Sequence, residues 1–421
     1  MGFSFNTPLS GLTASTTALS VVGNNIANAN TIGFRSGSVT FMDVFANSLG
    51  ARLNGAGNSL QVGGGVQTGA IHTNNSQGNL TESTSPIHAA VYGNGFFAVK
   101  NADGSQSYTR AGDFTVNNQG YIVANGGGQV QGYLAQNGVI PQGAPLTSLR
   151  IPIGQTLAPQ MTSEGTLRMN LNAEAATGSG FNATMQVYDS RGTKRSLDLT
   201  FTRQADGSFQ ATGMLDGEPV EMSVDGGAAS ADPVDFVFDA NGNLTSPTSL
   251  SIVPDQTTLD GAVLPSIAIN LRETNPDGTP GAANITGYSS PSAVASTRQD
   301  GYSAGQLNGA AVDANGNVFG VFSNGQSRVI GQYALATFDS MDGLTRSGGN
   351  MFNESLASGQ PTIGAPGSGG RGAIAGGYLE QSNVNITNEF VELIEAQRGF
   401  QANSRVISTV NQTFQDILQI L

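Results

Sequence analysis

Apolar residues recur every seven positions along the last 36 residues of the chain. This stripe consists of Ile386, Leu393, Phe400, Ile407, Phe414 and Leu421. A shorter stripe with the same interval lies near the start of the chain and consists of Leu12, Leu19 and Ile26. A seven-residue apolar repeat is typical of a helix that buries one narrow seam against another helix. The pattern therefore predicts a seam helix at each end of the chain.

The limits of both helices can be predicted from capping residues. The N-terminal helix is expected over residues 8–28, with Thr7 as the N-cap and Pro8 in the first turn. Its interior glycines each cost about 1 kcal/mol relative to Ala, so we expect packing to order it. In the C-terminal helix, Asn385 can cap the first turn and Glu389 lies favourably within that turn.

Between the two stripes, apolar and polar residues alternate in short runs that are bounded by Gly, Asn and Asp, which predicts β structure. The expected strands lie near residues 95–99, 114–116, 121–123, 185–187, 197–201, 234–238 and 267–271, with more over 293–338. The turn 189–192 predicts a hairpin between the fourth and fifth of these. Residues 30–70 contain the Gly-rich runs 54–58 and 63–65 and are predicted to be a linker.

Composition excludes several classes of function. The 421 residues include 17 Lys and Arg against 30 Asp and Glu, and the net charge of −13 argues against nucleic-acid binding. Cys is absent, which excludes disulfides, thiolate metal sites and a Cys nucleophile. No Lys or Arg precedes Arg35, and no apolar run approaches the roughly 18 residues that span a bilayer. We therefore expect no membrane contact and no cleavable secretory signal.

Candidate chemistry is sparse. His72 and His88 are the two histidines, and both are expected to be ordinary strand or surface residues. The stretches that begin at Asp239 and Asp313 resemble the start of a Ca²⁺ loop, but the twelfth positions, Leu250 and Asn324, are not acidic. Hairpin turns are the better interpretation. The sequence predicts no catalytic residue, no metal site and no cofactor, and an enzyme is not expected.

The terminal stripes have an alternative explanation, because a long amphipathic helix can cover a sheet of its own monomer. Against this, the stripe is narrow, and the second seam position of the C-terminal helix is mixed. That position is occupied by Glu389, Ala396, Asn403, Val410 and Ile417. We expect self-association through the terminal helices.

Several motifs resemble those of the flagellar rod–hook axial family, and in particular its hook proteins. At the ends these are residues 24–34 (NNIANANTIGF), 379–386 (LEQSNVNI) and 396–404 (AQRGFQANS). Internal matches are residues 94–97 (NGFF), 108–114 (YTRAGDF), 300–305 (DGYSAG) and 323–325 (SNG). The motif positions most specific to the family are Asn24, Asn25, Ile26, Ala27, Asn28, Gly33, Phe34, Ser382, Asn383, Val384, Gln397 and Arg398. Asn385 departs from the usual Asp of the family and remains a competent cap.

The resemblance implies an α+β, mostly β fold with nested domains. The terminal helices, 1–29 plus 384–421, would form an inner coiled-coil-like domain for polymerisation. Residues 30–70 plus 376–383 would be a linker region. A middle β domain would comprise 71–157 plus 286–375, with an outer β domain, 158–285, inserted within it. Both β domains are expected to be sandwich-like or barrel-like.

The resemblance also implies a function. The chain would be the structural subunit of an extracellular flagellar hook, polymerising into a curved, flexible tube that transmits motor torque to the filament. Its partners would be copies of itself, the distal rod, hook cap and hook–filament junction proteins, and the flagellar type III export apparatus. A distal rod protein is the alternative within the family, and a secreted all-β adhesin is the alternative outside it.

Overall fold

The structure is a computed structural model that describes residues 3–44, 47–48, 61–274 and 280–420. Leu421 of the predicted stripe and the Gly-rich run 54–58 lie outside the described residues. The described residues fall into two compact units. The first comprises those within 1–153, 309–321 and 327–421, and the second those within 154–308 and 322–326.

The elements follow one another along the chain from a helix, through many short strands, to a second helix. The first are α1 (Phe3–Ala27), β1 (Gly37–Asp43), β2 (Asn47–Ser48), β3 (Gln61–Val62), β4 (Val66–Thr73), β5 (Leu80–Glu82), β6 (Ala89–Tyr92), β7 (Phe96–Lys100), β8 (Gln106–Thr109), β9 (Thr115–Val116), β10 (Ile122–Val123), β11 (Gln129–Leu134) and β12 (Leu146–Ser148). Next come β13 (Thr156–Leu157), β14 (Glu164–Asn170), β15 (Gly180–Tyr188), β16 (Lys194–Arg203), β17 (Phe209–Leu215), β18 (Glu218–Pro219), β19 (Glu221–Val224), β20 (Val234–Phe238), β21 (Leu244–Ser246), β22 (Leu250–Val253), a 3₁₀ turn (Gln256–Thr258), β23 (Ile267–Asn270), β24 (Arg272–Thr274), β25 (Pro280–Ala283), β26 (Ile285–Thr286) and β27 (Ala293–Gln299). The last are β28 (Gly305–Val312), β29 (Asn317–Phe322), β30 (Ser327–Tyr333), β31 (Leu335–Thr337), β32 (Thr345–Gly348), β33 (Met351–Asn353), β34 (Thr362–Gly364), β35 (Ala373–Gly376), β36 (Tyr378–Glu380) and α2 (Ile386–Ile420).

Both predicted terminal helices are present, and the residues at which they begin test the predicted N-caps. Asn385 caps α2 by accepting a hydrogen bond from the Thr387 amide at 3.0 Å, as predicted. The prediction that α1 starts at Pro8 with Thr7 as its N-cap is wrong, because α1 already begins at Phe3. Packing explains the extra turn: the ring of Phe5 stacks on Phe414 of α2 with centroids 5.4 Å apart. This contact outweighs the break that Pro8 favours.

The stretch 30–70, predicted as a linker, contains paired strands in the structure. β1 pairs antiparallel with β4, from Gly37 opposite Thr73 to Asp43 opposite Val66, with a bulge after Thr40. The Gly-rich run 63–65 that suggested a linker lies just before β4, where Gly65 has a positive φ of 105°. The run thus leads into this two-stranded ribbon, and β4 crosses the predicted domain limit at residue 70.

The β part of the first unit is built around buried aromatic side chains. β7 pairs with β8, β11 and β31, and β11 also pairs with β12 and β30. Phe97 packs edge-on against Phe114 and Tyr333, with centroid distances of 4.9 and 5.6 Å. All three rings are fully buried. The chain segments that follow α1 and precede α2 are connected to this core.

The second unit contains two sheets with one shared core. One sheet has the order β19-β22-β23-β14, with β26 and β27 also on β14, and the other has the order β15-β16-β17-β20-β21. The predicted hairpin is present: β15 pairs with β16 over nine residue pairs, and Leu197, Leu199 and Phe201 are buried at alternate positions. Because the inner faces of both sheets supply the core, this unit is a β sandwich.

The second unit extends beyond the predicted outer block. β27 lies past residue 285, the predicted boundary, and pairs antiparallel with β14 from Gly165 opposite Gln299 to Asn170 opposite Ala293. This pairing places the strand in the sandwich. The assignment of domains to inner, middle and outer layers remains a prediction.

Candidate assembly interface

The terminal helices pack against each other in antiparallel orientation. Phe5 lies on Phe414 at one end of the pair, and Asn25 contacts Glu389 at the other. The seam residues that are half-buried in this arrangement are Leu12, Leu19, Ile26, Leu393, Phe400, Ile407 and Phe414. Ile386 lies at the start of α2 and is 45% exposed. The predicted stripes therefore meet within one chain, and their contact with neighbouring copies remains a prediction.

Two glycines lie where the helices of the pair face each other. A Cβ atom on Gly11 would lie 2.8 Å from the Asn403 side-chain nitrogen, which is closer than real Cβ atoms approach. A Cβ atom on Gly399 would lie 3.2 Å from the Ser15 hydroxyl oxygen. The glycines that weaken each helix in isolation thus leave room for the facing side chains of Asn403 and Ser15.

Asn25 and Glu389 form a buried polar contact where α1 ends and α2 begins. Both residues are buried, with exposures of 2% and 8%. The Asn25 side chain also bonds Gly37 twice: its Nδ2 donates to the carbonyl at 2.8 Å, and its Oδ1 accepts from the amide at 2.9 Å. Burial raises the pKa of the Glu389 carboxyl, the Asn25 hydrogen bond lowers it, and nearby Glu392 raises it. The net shift is upward, so desolvation dominates.

Two of the terminal motifs, 24–34 and 379–386, meet at the junction between the helix pair and the strands. Asn383 accepts from the Ser36 amide at 2.8 Å and donates to the Asn74 carbonyl at 2.8 Å. Gly33 donates its amide to the Glu380 carbonyl at 2.7 Å. Gly33 has a φ of 67°, and a Cβ atom there would lie 2.6 Å from the Ala111 nitrogen. The two motifs are therefore complementary parts of one structure.

The remaining motif residues divide into structural and exposed positions. Asn28 closes the end of α1 by donating to the Asn24 carbonyl at 2.9 Å and accepting from the Thr31 hydroxyl at 3.1 Å. Phe34 is buried under the guanidinium of Arg346, 5.4 Å from its ring centroid. Ser382 and Val384 are half-buried, and Ser382 accepts from the Val384 amide. The exposed motif residues are Asn24, Ala27, Gln397 and Arg398.

A buried ion cluster at the same junction was not predicted from the sequence. The Glu380 carboxylate accepts from Arg35 Nη2 at 2.8 Å, from Arg110 Nε at 3.0 Å and from the Gly78 amide at 2.9 Å. Glu380 is 0% exposed, and each arginine side chain is 4% exposed. Burial lowers the pKa of Arg110 to about 10, although Glu380 acts in the opposite direction. The cluster fixes the segment after α1 and the segment before α2 to one point of the β part.

The cluster contains one more positive than negative charge. Arg110 spreads its charge by donating from Nη1 to the carbonyl oxygens of Gly93 and Gly95, at 2.8 and 2.6 Å. Arg35 Nη1 is buried and has no hydrogen-bond partner among the described residues. Desolvation also lowers the pKa of Arg35. Arg110 and Glu380 each lie within one of the motifs, 108–114 and 379–386, but their separation in sequence concealed the contact between them.

The candidate Ca²⁺ loops form hairpin turns. Asp239 accepts from the amides of Asn241 and Asn243, and Asp313 accepts likewise from Asn315 and from Asn317, all at 2.8 Å. Within the residues that the structure describes, no group of three or more His, Asp or Glu side chains could hold a metal ion. No helix of that part of the chain is long and apolar enough to cross a membrane.

Comparison with known proteins gives consistent matches along the chain. Family profiles match residues 5–35 (flagella basal body rod protein), 90–169 (flagellar hook protein FlgE/F/G D1 domain), 156–302 (flagellar basal body protein FlaE D2 domain) and 375–420 (flagellar basal body rod FlgEFG protein C-terminal). The flagellar hook protein FlgE of Treponema pallidum is 33% identical, with 98% of each chain covered. That of Salmonella typhimurium is 31% identical, with 99% of this chain and 100% of the relative covered. The crystal structure of Helicobacter pylori flagellar hook protein FlgE2 shares 15% identity at a TM-score of 0.49, over 72% of this chain and 100% of that one.

The paired terminal helices and their matching profiles define an axial protein of the bacterial flagellum. The full-length relatives are hook proteins, and the chain therefore belongs to the flagellar hook protein family. This family is structural, and its members form an extracellular part of the flagellum as homopolymers. The predicted family and the mostly β fold with paired terminal helices are confirmed. The distal rod and adhesin alternatives are not favoured by these relatives.

Proposed function

We propose that this chain assembles into a curved tube whose inner wall is the α1–α2 pair, and that the tube transmits motor torque to the filament. The observation that supports this is the apolar surface that α2 leaves exposed. Its large exposed residues are Ile386, Phe390, Val391, Ile394, Val406, Ile417 and Leu418, at 45–73% exposure. Apolar patches of this kind mark interaction sites. Burial against neighbouring copies would gain roughly 25 cal/mol for each Å² removed from water.

The charge distribution of the helix pair supports the same proposal. Residues 3–27, which form α1, contain no charged side chain. The centres of protein interfaces are depleted of charge, because an unpaired ion is costly to bury. A helix of this length with no charge is poorly suited to face water on its own. We infer that α1 and the seam residues of α2 lie inside the wall.

The β units are proposed to form the outer layers. The junction cluster of Arg35, Arg110 and Glu380 would connect the inner helix pair rigidly to the middle layer. The second unit, which comprises residues 154–308 and 322–326 rather than the predicted 158–285, would form the outermost layer. Bending during rotation requires contacts between copies to lengthen and shorten in each turn, and wet polar contacts permit this more easily than close-packed apolar ones.

We propose more specific binding partners on the basis of the family to which the chain belongs. We propose contacts with the distal rod at one end of the tube, with a hook cap during growth, and with hook–filament junction proteins at the other end. Delivery through the flagellar type III apparatus as an unfolded chain would fit the weak intrinsic helicity of α1. Ordering of the termini on assembly would then limit premature polymerisation.

Imaging combined with hydrogen exchange tests this proposal. Concentrated full-length protein should form curved tubes in negative-stain electron microscopy. Amides of residues 3–27 and 386–420 should exchange rapidly in the monomer and slowly in the tube, whereas amides of β7 and β16 should be protected in both. A straight tube would favour a rod protein. Strong protection of both helices in the monomer would contradict assembly-coupled ordering.

A further inference from the structure

A small cavity lies beside the buried ion cluster of Arg35, Arg110 and Glu380. It encloses about 10 Å³, and both arginines line it. Asn75 and Asn94 also line the cavity, and these two residues are exposed. A volume of about 10–15 Å³ is the least that holds one water molecule. The cavity therefore has room for a single small occupant, which can enter from its exposed margin.

The cluster beside this cavity has one positive charge in excess, because a single carboxylate faces two guanidinium groups. Each arginine side chain is only 4% exposed. Burial lowers the pKa of Arg110 to about 10, so this side chain still keeps its proton at pH 7. Deprotonation therefore does not remove the excess charge. A buried charge without a counter-ion is unfavourable, so an anion at this point would stabilise the cluster.

Two charged residues at the margin of the cluster do not change this balance. Asp342 accepts a hydrogen bond from the Asn75 side chain at 3.3 Å, and Arg346 donates to the Arg35 carbonyl at 2.8 Å. Asp342 and Arg346 are both exposed, and their charges are opposite in sign. Because the two charges offset each other, the excess of one positive charge remains.

Arg35 also has unused hydrogen-bonding capacity. Its Nη2 donates to Glu380 at 2.8 Å, whereas its Nη1 is buried and bonds none of the residues that the structure describes. A buried N–H group without an acceptor is unfavourable, and such groups are usually satisfied by protein, water or an ion. A water molecule would accept from Nη1 but would leave the excess charge in place. An anion would satisfy the donor and neutralise the charge together.

We propose that this cavity binds one monatomic anion, chloride being the probe of choice, between the guanidinium groups of Arg35 and Arg110. With one chloride bound, the two guanidinium charges face two negative charges. The volume of the cavity restricts the site to an ion of about the size of a water molecule and excludes polyatomic anions such as gluconate. Because the cluster joins the segment after α1 and the segment before α2 to the β part, binding would stabilise that junction in a single chain, whether or not the chain assembles.

Hydrogen exchange of the full-length, unassembled chain tests this site, with sodium chloride replaced by sodium gluconate at constant ionic strength. An anion that binds only the folded state slows exchange through unfolding by the factor 1 + [anion]/Kd. Amides of β7, in the first unit, should exchange about tenfold more slowly when chloride reaches about ten times its Kd. Amides of β16, in the second unit, are the internal control and should not respond. Equal exchange of β7 in both salts, or equal slowing of β16, would overturn the proposal.

Two arginine variants locate the effect. Arg35→Gln removes both the excess charge and the unpaired donor, while Arg110 keeps its 3.0 Å hydrogen bond to Glu380. In this variant the chloride effect on β7 should disappear. Arg346→Gln is the matched control, because Arg346 is a cation that bonds the Arg35 carbonyl but lies outside the cluster, and here the effect should persist. A chloride effect that survives in Arg35→Gln, or is lost in Arg346→Gln, would contradict the assignment.

A further measurement needs no variant, and so holds even if Arg35→Gln does not fold. Crystals of the unaltered chain soaked in sodium bromide should show an anomalous peak between Arg35 and Arg110, because bromide has the charge of chloride and scatters anomalously. No peak at this point would mean that the cavity holds water only. That result would overturn the proposal even if chloride slowed the exchange of β7.

Discussion

Asn25 donates its side-chain amide to both carboxylate oxygens of Glu389, at 3.1 and 3.0 Å, across 364 positions of sequence. The same side chain bonds the amide and the carbonyl of Gly37. An asparagine can donate and accept at once, which neither an ionised Asp nor a hydrocarbon side chain can do. Asn25 therefore joins the end of α1, the first turn of α2 and the start of β1.

Replacing Asn25 with Asp should weaken the assembled helix pair. The new carboxylate cannot donate to Glu389, and two like charges would face each other with little water. We expect a loss of about 3 kcal/mol per subunit, the usual scale for an uncompensated buried charge. The urea midpoint for tube disassembly at neutral pH measures this loss. Asn24→Asp is the matched control at an exposed neighbouring site, and an equal effect there would contradict the assignment.

The raised pKa of Glu389 predicts a pH dependence of tube stability. An acid whose pKa is raised above its ordinary value of 4.5 when α1 and α2 pair favours the paired state when protonated. In the proposed assembly this pairing is part of the tube. The contribution of the acid is fully present below 4.5 and is lost as the pH rises through the raised value. Glu389→Gln mimics the protonated form, so the variant should be the more stable of the two at pH 7. The disassembly temperatures of this variant and of the unaltered chain should converge as the pH falls from 7 to 4.5. Divergence at low pH would contradict the upward direction of the Glu389 pKa shift.

The helices and many strands were predictable because their signals are local and periodic. The seven-residue repeat located the seam of α2, and alternation located Leu197, Leu199 and Phe201 on one face of β16. The start of α1 was not predictable in this way. It depends on Phe5 reaching Phe414, a tertiary contact that outweighs the local preference of Pro8.

The candidate interface was predictable only in part. Periodicity identified the seam residues, and the motifs identified Asn25, Gly33 and Asn383, but neither showed what these residues contact. Sequence periodicity could not reveal the cluster of Arg35, Arg110 and Glu380, because its members are far apart in the chain. Arg110 and Glu380 are separated by 270 positions. A single acidic or basic residue in a sequence is usually a surface residue, so burial of these three had no local signal.

Removing the Glu380 charge should destabilise the first unit. In Glu380→Gln, the two buried guanidinium groups keep their charge and lose their counter-ion. We expect a loss of about 3–5 kcal/mol in the free energy of unfolding, measured in urea. Glu273→Gln provides the comparison, because Glu273 pairs with Arg168 at the surface, where both side chains are about half exposed. That variant should change stability by about 1 kcal/mol or less.

Deleting the main segment of the second unit tests the proposal that the helix pair holds the tube together while the outer layer allows it to bend. Residues 154–308 would be replaced by a short Gly-Ser linker in the full-length chain. Because the helix pair and its junction are retained, we expect tubes to form but to be straighter, or to have altered curvature, in electron micrographs. Complete loss of assembly, with the first unit still folded, would show that the outer layer is needed for more than compliance.

Two glycines near the end of α1 should respond to alanine in opposite ways. At Gly33, a methyl group would meet the Ala111 backbone at 2.6 Å, and the φ of 67° disfavours any L-residue. At Gly23, within α1, an added Cβ meets nothing within 4 Å. Gly33→Ala should therefore lower the disassembly temperature of the tube, at a cost of about 2 kcal/mol or more. Gly23→Ala should raise it, with a gain approaching 1 kcal/mol. If Gly23→Ala is harmful instead, a neighbouring copy must approach α1 at that position, which would place Gly23 in the contact between subunits.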